Sequence, residues 1–391
     1  MRSISALCGA ILAFTLSVAS AEAQCGGGFN DFVRGLGAEA QAKGYDAGQV
    51  GRFFANARQD KKVLQADRAQ GIFKKNFLEF SQSVISKNRL DHGRANAKKY
   101  SKTFGRIQSE FGVSPGVLMA FWALETDYGA VQGDFNTLNA LVTLAHDCRR
   151  PELFRPQIFA ALELYTRGDF DPDRTKGAWA GEIGQVQMLP EDLLRNGADG
   201  DGDGHVDVKG SSPDALLSGA HMLRGFGWRA NEPWLQEIIV PKGLDWGLTG
   251  LNHSLPISDW KARGVKARNG TLGRGEGSVL LPMGRYGPAF MAYPNFRIYF
   301  DWNKSFVYVT TAAYFATRLD GAPPYNAGNP EPGLSVNNMK RLQEKLAARG
   351  YDMGKIDGIL GEKTRAAVQK EQKRLGLPAD AWPTAALLGA L

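Results

Sequence analysis

Val113-Ser114-Pro115-Gly116-Val117-Leu118-Met119-Ala120-Phe121-Trp122-Ala123-Leu124-Glu125-Thr126-Asp127-Tyr128-Gly129 is the stretch on which the fold turns. Ser114 is a residue type that caps helix starts, Pro115 suits the first helical position, and Gly129 suits the stop. Between them Val117, Leu118, Met119, Phe121, Trp122 and Leu124 leave almost no polar face. A helix that is apolar all round is a buried one, so the stretch predicts a buried helix. Yet it carries Glu125 near its C-terminal end. Burial disfavours the charged carboxylate, and so does the negative end of the helix dipole. Both effects raise the pKa, as a general acid working near neutral pH requires. The plainer alternative is a glutamate at the helix edge that reaches water. Asp127 makes no obvious catalytic pair with it, because residues two apart on a helix face different ways.

Outward from this stretch, helical signals dominate to about residue 230. Residues 231–295, rich in Gly, Trp and Pro, read as irregular chain with short strands. Phe296-Arg297-Ile298-Tyr299-Phe300 reads as a strand or as the run-in to a helix near 305–319. Residues 321–333 are too dense in Pro and Gly for a helix or a central strand and read as a linker. Beyond it, residues 334–391 predict a small bundle of three helices. Ser335 caps the first, whose apolar face is Met339, Leu342 and Leu346; the second follows Gly361 and presents Ala367, Val368 and Leu375; the third starts at Thr384.

The 391 residues have room for one large and one small domain, and 43% hydrophobic with 22% charged residues is an ordinary globular composition. A net charge of +7 attracts polyanions, among which a cell wall or membrane surface fits as well as nucleic acid. No basic run interleaved with aromatics marks a nucleic-acid face, so no nucleic-acid partner is expected. Met1-Arg2, the apolar stretch from about Ala6 to Ala19 and the small-x-small Ala21-Glu22-Ala23 together predict a signal peptide over residues 1–23, cleaved before Gln24. The apolar run is short of the roughly 20 residues that span a bilayer, and no later segment is long enough, so no stable membrane anchor is expected. Gln24 is the wrong neighbour for lipid attachment at Cys25. The mature chain is expected to be exported to the periplasm. Its two remaining cysteines, Cys25 and Cys148, favour a disulfide in an oxidising compartment, with two unrelated buried thiols as the alternative.

Three segments then carry a resemblance. Glu125-Thr126-Asp127-Tyr128-Gly129 is similar to the Glu-Thr-x-Tyr-Gly signature of the lytic murein transglycosylase B family. Ala178-Trp179-Ala180-Gly181-Glu182-Ile183-Gly184-Gln185-Val186-Gln187-Met188-Leu189-Pro190 resembles that family's Trp-Ala-Gly-x-Met-Gly-x-x-Gln-Phe-Met-Pro segment, and Asn295-Phe296-Arg297-Ile298 with Trp302-Asn303-Lys304-Ser305 its late aromatic-Asn motif. The resemblance implies a lysozyme-like, mainly helical α+β catalytic domain over residues 24–320 and cleavage of the glycan strands of peptidoglycan. In that chemistry one Glu protonates the glycosidic oxygen after N-acetylmuramic acid. The same Glu then takes the proton of the muramyl O6, which closes a 1,6-anhydro ring without water. Ordinary glycosidases instead use two carboxylates. Carried over by motif, Glu125 is the acid/base, Gln187 lines the groove, Asn303 sits near the reacting sugar, and Tyr128 and Trp179 are groove or supporting residues. Ala178, Glu191 and Trp302 depart from the family pattern. Glu182 and Glu191 read as solvated surface carboxylates.

Asp199-Gly200-Asp201-Gly202-Asp203-Gly204-His205-Val206-Asp207 is the front half of an EF-hand loop, with acids at alternate positions and Gly at the sharp turn. Position 12 is Gly210 where a bidentate Glu belongs. The resemblance implies that a later acid, Asp214, completes a structural Ca²⁺ site with the His205 carbonyl. An acidic loop without metal is the alternative, and the chemistry itself is expected to need no cofactor. In the tail, Asp357-Gly358-Ile359-Leu360-Gly361-Glu362-Lys363-Thr364-Arg365-Ala366-Ala367-Val368 resembles the core of the three-helix peptidoglycan-binding domain. That resemblance implies a wall-binding module that raises the local concentration of substrate. Two other functions compete: a muramidase of similar fold that adds water, and a catalytically idle wall-binding scaffold.

Overall fold

Pro115–Thr126 forms the central helix of the computed structural model, which describes residues 24–69 and 75–391; the expected signal peptide lies outside the described residues. Every residue from Gly116 to Ala123 is buried. Burying side chains such as Phe121 or Met119 is worth about 1.5–3 kcal/mol each, so this one helix anchors much of the core. Its most extensive partner is the helix Phe306–Leu319, and the helices Lys87–Lys99, Ser101–Phe111 and Ser212–Gly225 pack round it. Beside them Thr137–His146 lies along Pro151–Arg167.

Both ends of the central helix are fixed by distant residues. Ser114 makes no capping bond of the expected kind. The carboxylate of Asp320 does that work, accepting from the Gly116 N–H at 2.9 Å and from the Ser114 hydroxyl. An anion is favoured there by the exposed N–H groups and the helix dipole. At the other end Asp127, Tyr128 and Gly129 all take left-handed backbone angles, φ 51°, 61° and 86°. For two non-glycine residues in succession that costs about 1–3 kcal/mol each, and such strain persists only where the surroundings enforce it. Here Arg89 donates to Asp127 at 2.9 Å, and the Tyr128 hydroxyl donates to the Arg89 carbonyl at 2.7 Å.

Residues 231–295 build a second lobe. Its five-stranded antiparallel sheet runs in the order Leu255–Pro256, Glu276–Leu280, Phe290–Ala292, Leu235–Ile239, Lys266–Ala267. Val279 and Gln236 both face Met291 in register, and a separate core of Ile238, Trp260, Val279, Met291 and Tyr293 fills one side. Phe296 to Phe300 is helical, part of Pro294–Trp302, because Pro294 begins the helix at its first position. The architecture is mainly α with this small sheet, as the sequence predicts. Cys25 and Cys148 are disulfide-bonded, with Cα atoms 5.2 Å apart, which ties the first described residues to the chain just after Thr137–His146.

The tail helices Val336–Ala347, Glu362–Arg374 and Ala385–Ala390 enclose a core of Met339, Leu342, Leu346, Val368 and Leu387. Residues 321–333 carry no helix or strand, yet they are fastened to the sheet lobe. The Asn326 N–H donates to Glu237 at 2.7 Å, the Asn329 N–H to the Tyr286 carbonyl at 2.8 Å, and Arg285 pairs with Glu331 at 3.3 Å. A linker was the expectation; instead the tail docks on the larger domain, with Trp382 entering the main core and Asp380 bonded to Arg285 at 3.0 Å.

Candidate active site

The last turn of Pro115–Thr126 delivers Glu125 between two aromatic donors, Trp302 at the end of Pro294–Trp302 and Tyr308 in the first turn of Phe306–Leu319. Trp302 Nε1 donates to Glu125 Oε1 at 3.1 Å, and the Tyr308 hydroxyl donates to the same oxygen. Trp302 is itself set by Phe121, one turn before Glu125, whose ring stacks on it with centroids 4.0 Å apart. Burial pushes the Glu125 carboxyl up, the two hydrogen bonds pull it down, and the charge of Glu182 pushes it up again. Burial dominates, so the group keeps its proton to higher pH than an ordinary glutamic acid. Trp302 stands where the resemblance expects a tyrosine, and it keeps the essential property, an aromatic side chain with one hydrogen to donate.

Tyr308 is the residue that sequence reasoning missed. It lies on Phe306–Leu319, a largely buried helix, and a buried tyrosine hydroxyl signals either packing or a buried partner. Burial and the nearby Glu125 carboxyl hold its own proton on firmly, so it acts as a donor. Glu182 also differs from expectation. It is not a solvated surface group: burial raises its carboxyl, and Oε2 is enclosed without a partner among the described residues. The reason is local, because Gly177 and Gly181 let the Ala178–Met188 turn close tightly, with the Ala178 N–H on the Glu182 carbonyl at 2.9 Å. Glu191 does lie at the surface, paired with Arg195 and held by Gln157.

Gln187 sits in the tight turn closed by the bridge between Ile183 and Met188, at φ 55°, with its amide donating to the Gly184 carbonyl at 2.8 Å. This turn is braced on Glu125's helix: the Thr126 hydroxyl donates to the Gln185 carbonyl at 2.6 Å. Asn303 ends the helix Pro294–Trp302, its Oδ1 accepting from the Ser305 N–H at 2.9 Å, which leaves its amide hydrogens free of that turn. Trp179 packs half-buried on the main core. Tyr128 packs edge-on against Trp122 and spends its hydroxyl on Arg89, a supporting position.

In the acidic loop, carboxylate oxygens of Asp199, Asp201 and Asp203 converge within 4.8 Å of one another, a donor set suited to a hard cation. Asp214 does not join them. Buried at the start of Ser212–Gly225, it accepts from the Gly200, Asp201 and Asp207 N–H groups and folds the loop from beneath. His205 is exposed, and its N–H donates to Asp203 at 2.9 Å. The loop leans on the candidate site, since the Gln185 N–H donates to the Val208 carbonyl at 2.9 Å.

Comparison with known proteins bears on this geometry. The family model described as Transglycosylase SLT domain matches residues 28–317, and a peptidoglycan binding domain model matches residues 335–391. The chain is 26% identical over 232 residues to membrane-bound lytic murein transglycosylase B of Escherichia coli (strain K12), covering 59% of this chain and 63% of that relative's length. It superposes on SltB3 of Pseudomonas aeruginosa in complex with NAG-anhNAM-pentapeptide with a TM-score of 0.85, at 34% identity over 93% of this chain and 99% of that one. The Escherichia coli lytic transglycosylase Slt35 in complex with calcium superposes with a TM-score of 0.63, at 24% identity over 76% of this chain and 96% of that one, a likeness of fold. With its family model covering residues 28–317 and the likeness to SltB3 running almost end to end, the chain belongs to the transglycosylase SLT family.

Proposed function

We propose that this protein is a lytic transglycosylase that cuts the MurNAc–GlcNAc β-1,4 bond of peptidoglycan without water, with Glu125 as its single general acid/base. The observation that carries the reading is Glu125 itself: a half-buried carboxyl whose partners are the neutral donors Trp302 and Tyr308. In its acid form Glu125 gives a proton to the glycosidic oxygen as the C1–O bond breaks. The two donors stabilise the carboxylate that this transfer creates. That carboxylate then takes the proton of the muramyl C6 hydroxyl while O6 bonds to C1, so Glu125 ends protonated and no water enters or leaves.

Glu182 bears on the hydrolytic alternative. An inverting hydrolase needs a second carboxylate with a water beside the sugar. Burial disfavours the charged form of the Glu182 carboxyl, which supports the anhydro route over the muramidase. The bound fragments of the SltB3 complexes, NAG-anhNAM-pentapeptide and NAG-NAM-pentapeptide, support glycan strands as the substrate. Gln187 and Asn303 are assigned to the sugar groove, with Trp179 and Tyr128 as supports, and the module 334–391 to wall binding beyond the catalytic domain 24–320 and the connection 321–333. Among the described residues no helix is long and apolar enough to cross a membrane, and the expected leader places the working enzyme in the periplasm. Asp199, Asp201 and Asp203 would hold a Ca²⁺ whose part is to stiffen the loop under Gln185, outside the chemistry. The direct test is release of soluble fragments from purified sacculi. Wild-type protein releases them and Glu125→Gln does not; turnover by Glu125→Gln at the wild-type rate contradicts the assignment.

A further inference from the structure

The tail module reaches the catalytic domain with a half-buried cation. Arg365, on the helix Glu362–Arg374, donates to the Pro282 carbonyl at 2.7 Å and to the Leu281 carbonyl at 3.4 Å, both just past a sheet strand. Its guanidinium lies over the Phe306 ring, 4.4 Å from the centroid, with Trp382 at 5.9 Å on another side. Its Nε has no partner among the described residues, and burial pushes the group down to about 9, with Asp380 as the opposing charge. Asp380 is itself bonded to Arg285. A half-buried cation without a carboxylate of its own is costly, and neutral residues would pack this interface more cheaply.

What the cation grips is the start of the helix Phe306–Leu319. Ser305 caps it, accepting from the Tyr308 N–H at 3.4 Å, and two residues after Phe306 comes Tyr308, the donor to Glu125. Residues two apart point to different sides of a helix, so one turn faces Arg365 with Phe306 and Glu125 with Tyr308. Backbone groups of a first turn lack intrahelical partners and are the ones most dependent on outside support.

We propose that Arg365 is a positioning residue for the reaction: by holding Phe306 it fixes the first turn of this helix, and with it the Tyr308 hydroxyl on Glu125. The peptidoglycan-binding module is then part of the catalytic apparatus as well as a wall anchor. The inference rests on the reading of Glu125 as the acid/base. Other bonds keep the module docked without Arg365, among them Gln369 donating to the Thr249 carbonyl at 2.8 Å and Trp382 to the Glu331 carbonyl at 2.9 Å. The titratable groups around Glu125 are Tyr308 and Glu182, and around Tyr308 they are Glu125 and Tyr299.

The test uses the full-length protein and a soluble NAG-NAM oligosaccharide, so that affinity for insoluble wall does not enter. Arg365→Met is expected to lower kcat about three- to tenfold, within the coupling seen along packed networks, with KM nearly unchanged. Because Tyr308 favours the ionised form of Glu125, loosening it also moves the high-pH limb of the kcat profile upward. Phe306→Leu, made from the other side of the contact, should move the limb the same way. In a Tyr308→Phe background Arg365→Met should add nothing. Lys363→Ala, on the same helix but in an exposed pair with Asp352, should leave rate and limb alone. Hydrogen exchange over residues 303–312 should quicken in Arg365→Met. An unmoved limb, a full additive loss on top of Tyr308→Phe, or unchanged exchange overturns the proposal. Activity in Glu125→Gln would sink the acid/base reading instead, and the exchange result would still decide whether Arg365 holds the turn.

Discussion

Replacing Tyr308 with phenylalanine removes one hydroxyl from a buried site and leaves the ring in its packing. Glu125 Oε1 then keeps only the indole N–H of Trp302. A hydrogen bond to a charged group contributes about 1.5–3 kcal/mol. In the resting acid form that bond is weak, and it strengthens as the proton passes to the glycosidic oxygen and the carboxylate forms. Its loss therefore falls mainly on the transition state. At about 1.36 kcal/mol per factor of ten, kcat drops about ten- to hundredfold while KM stays within a small factor. The sign of the pH effect follows from the same bond. Tyr308 favours ionised Glu125, so without it Glu125 holds its proton longer, and the high-pH limb moves up. The assay is chromatography of cleaved soluble glycan fragments across pH, with circular dichroism to check the fold. A kcat within twofold of wild type and an unmoved limb would refute the reasoning, since the hydroxyl would then do no more than pack.

The charge of Glu182 disfavours ionisation of Glu125, so Glu182→Gln lets Glu125 lose its proton earlier, and the high-pH limb moves down; a shift upward in the same pH–rate measurement contradicts the assignment. Calcium at a hundred times its dissociation constant adds about 2.7 kcal/mol to stability, so thermal melting should show a rise of about 5 °C that a chelator reverses and Asp203→Asn abolishes. Equal melting points with calcium and with chelator would leave the acidic loop a loop without a metal.

The apolar run around Glu125 was legible in the sequence because burial leaves a mark on composition: nothing but a core tolerates Leu118, Met119, Phe121 and Trp122 on successive faces. The tail bundle was legible for the same reason, with Met339, Leu342 and Leu346 at helical spacing. Contacts between distant segments leave no such mark. Asp320 capping a helix some 200 residues earlier, Tyr308 meeting Glu125, and Arg365 meeting Phe306 are each set by how whole elements pack. Glu182 misled because a carboxylate between glycines looks like a surface turn, while here the glycines allow a close approach that buries it. Asp214 misled in the opposite way: spaced like a ligand, it spends its oxygens on the backbone of the loop it was expected to complete with.

Digestion of sacculi in oxygen-18-labelled water, followed by mass spectrometry of the new glycan ends, tests the central claim most directly. Intramolecular closure predicts ends lighter than reducing muramic acid by one water, carrying no label, and absent with Glu125→Gln. Labelled reducing ends formed at the rate of cleavage would contradict it, and would make the enzyme a hydrolase.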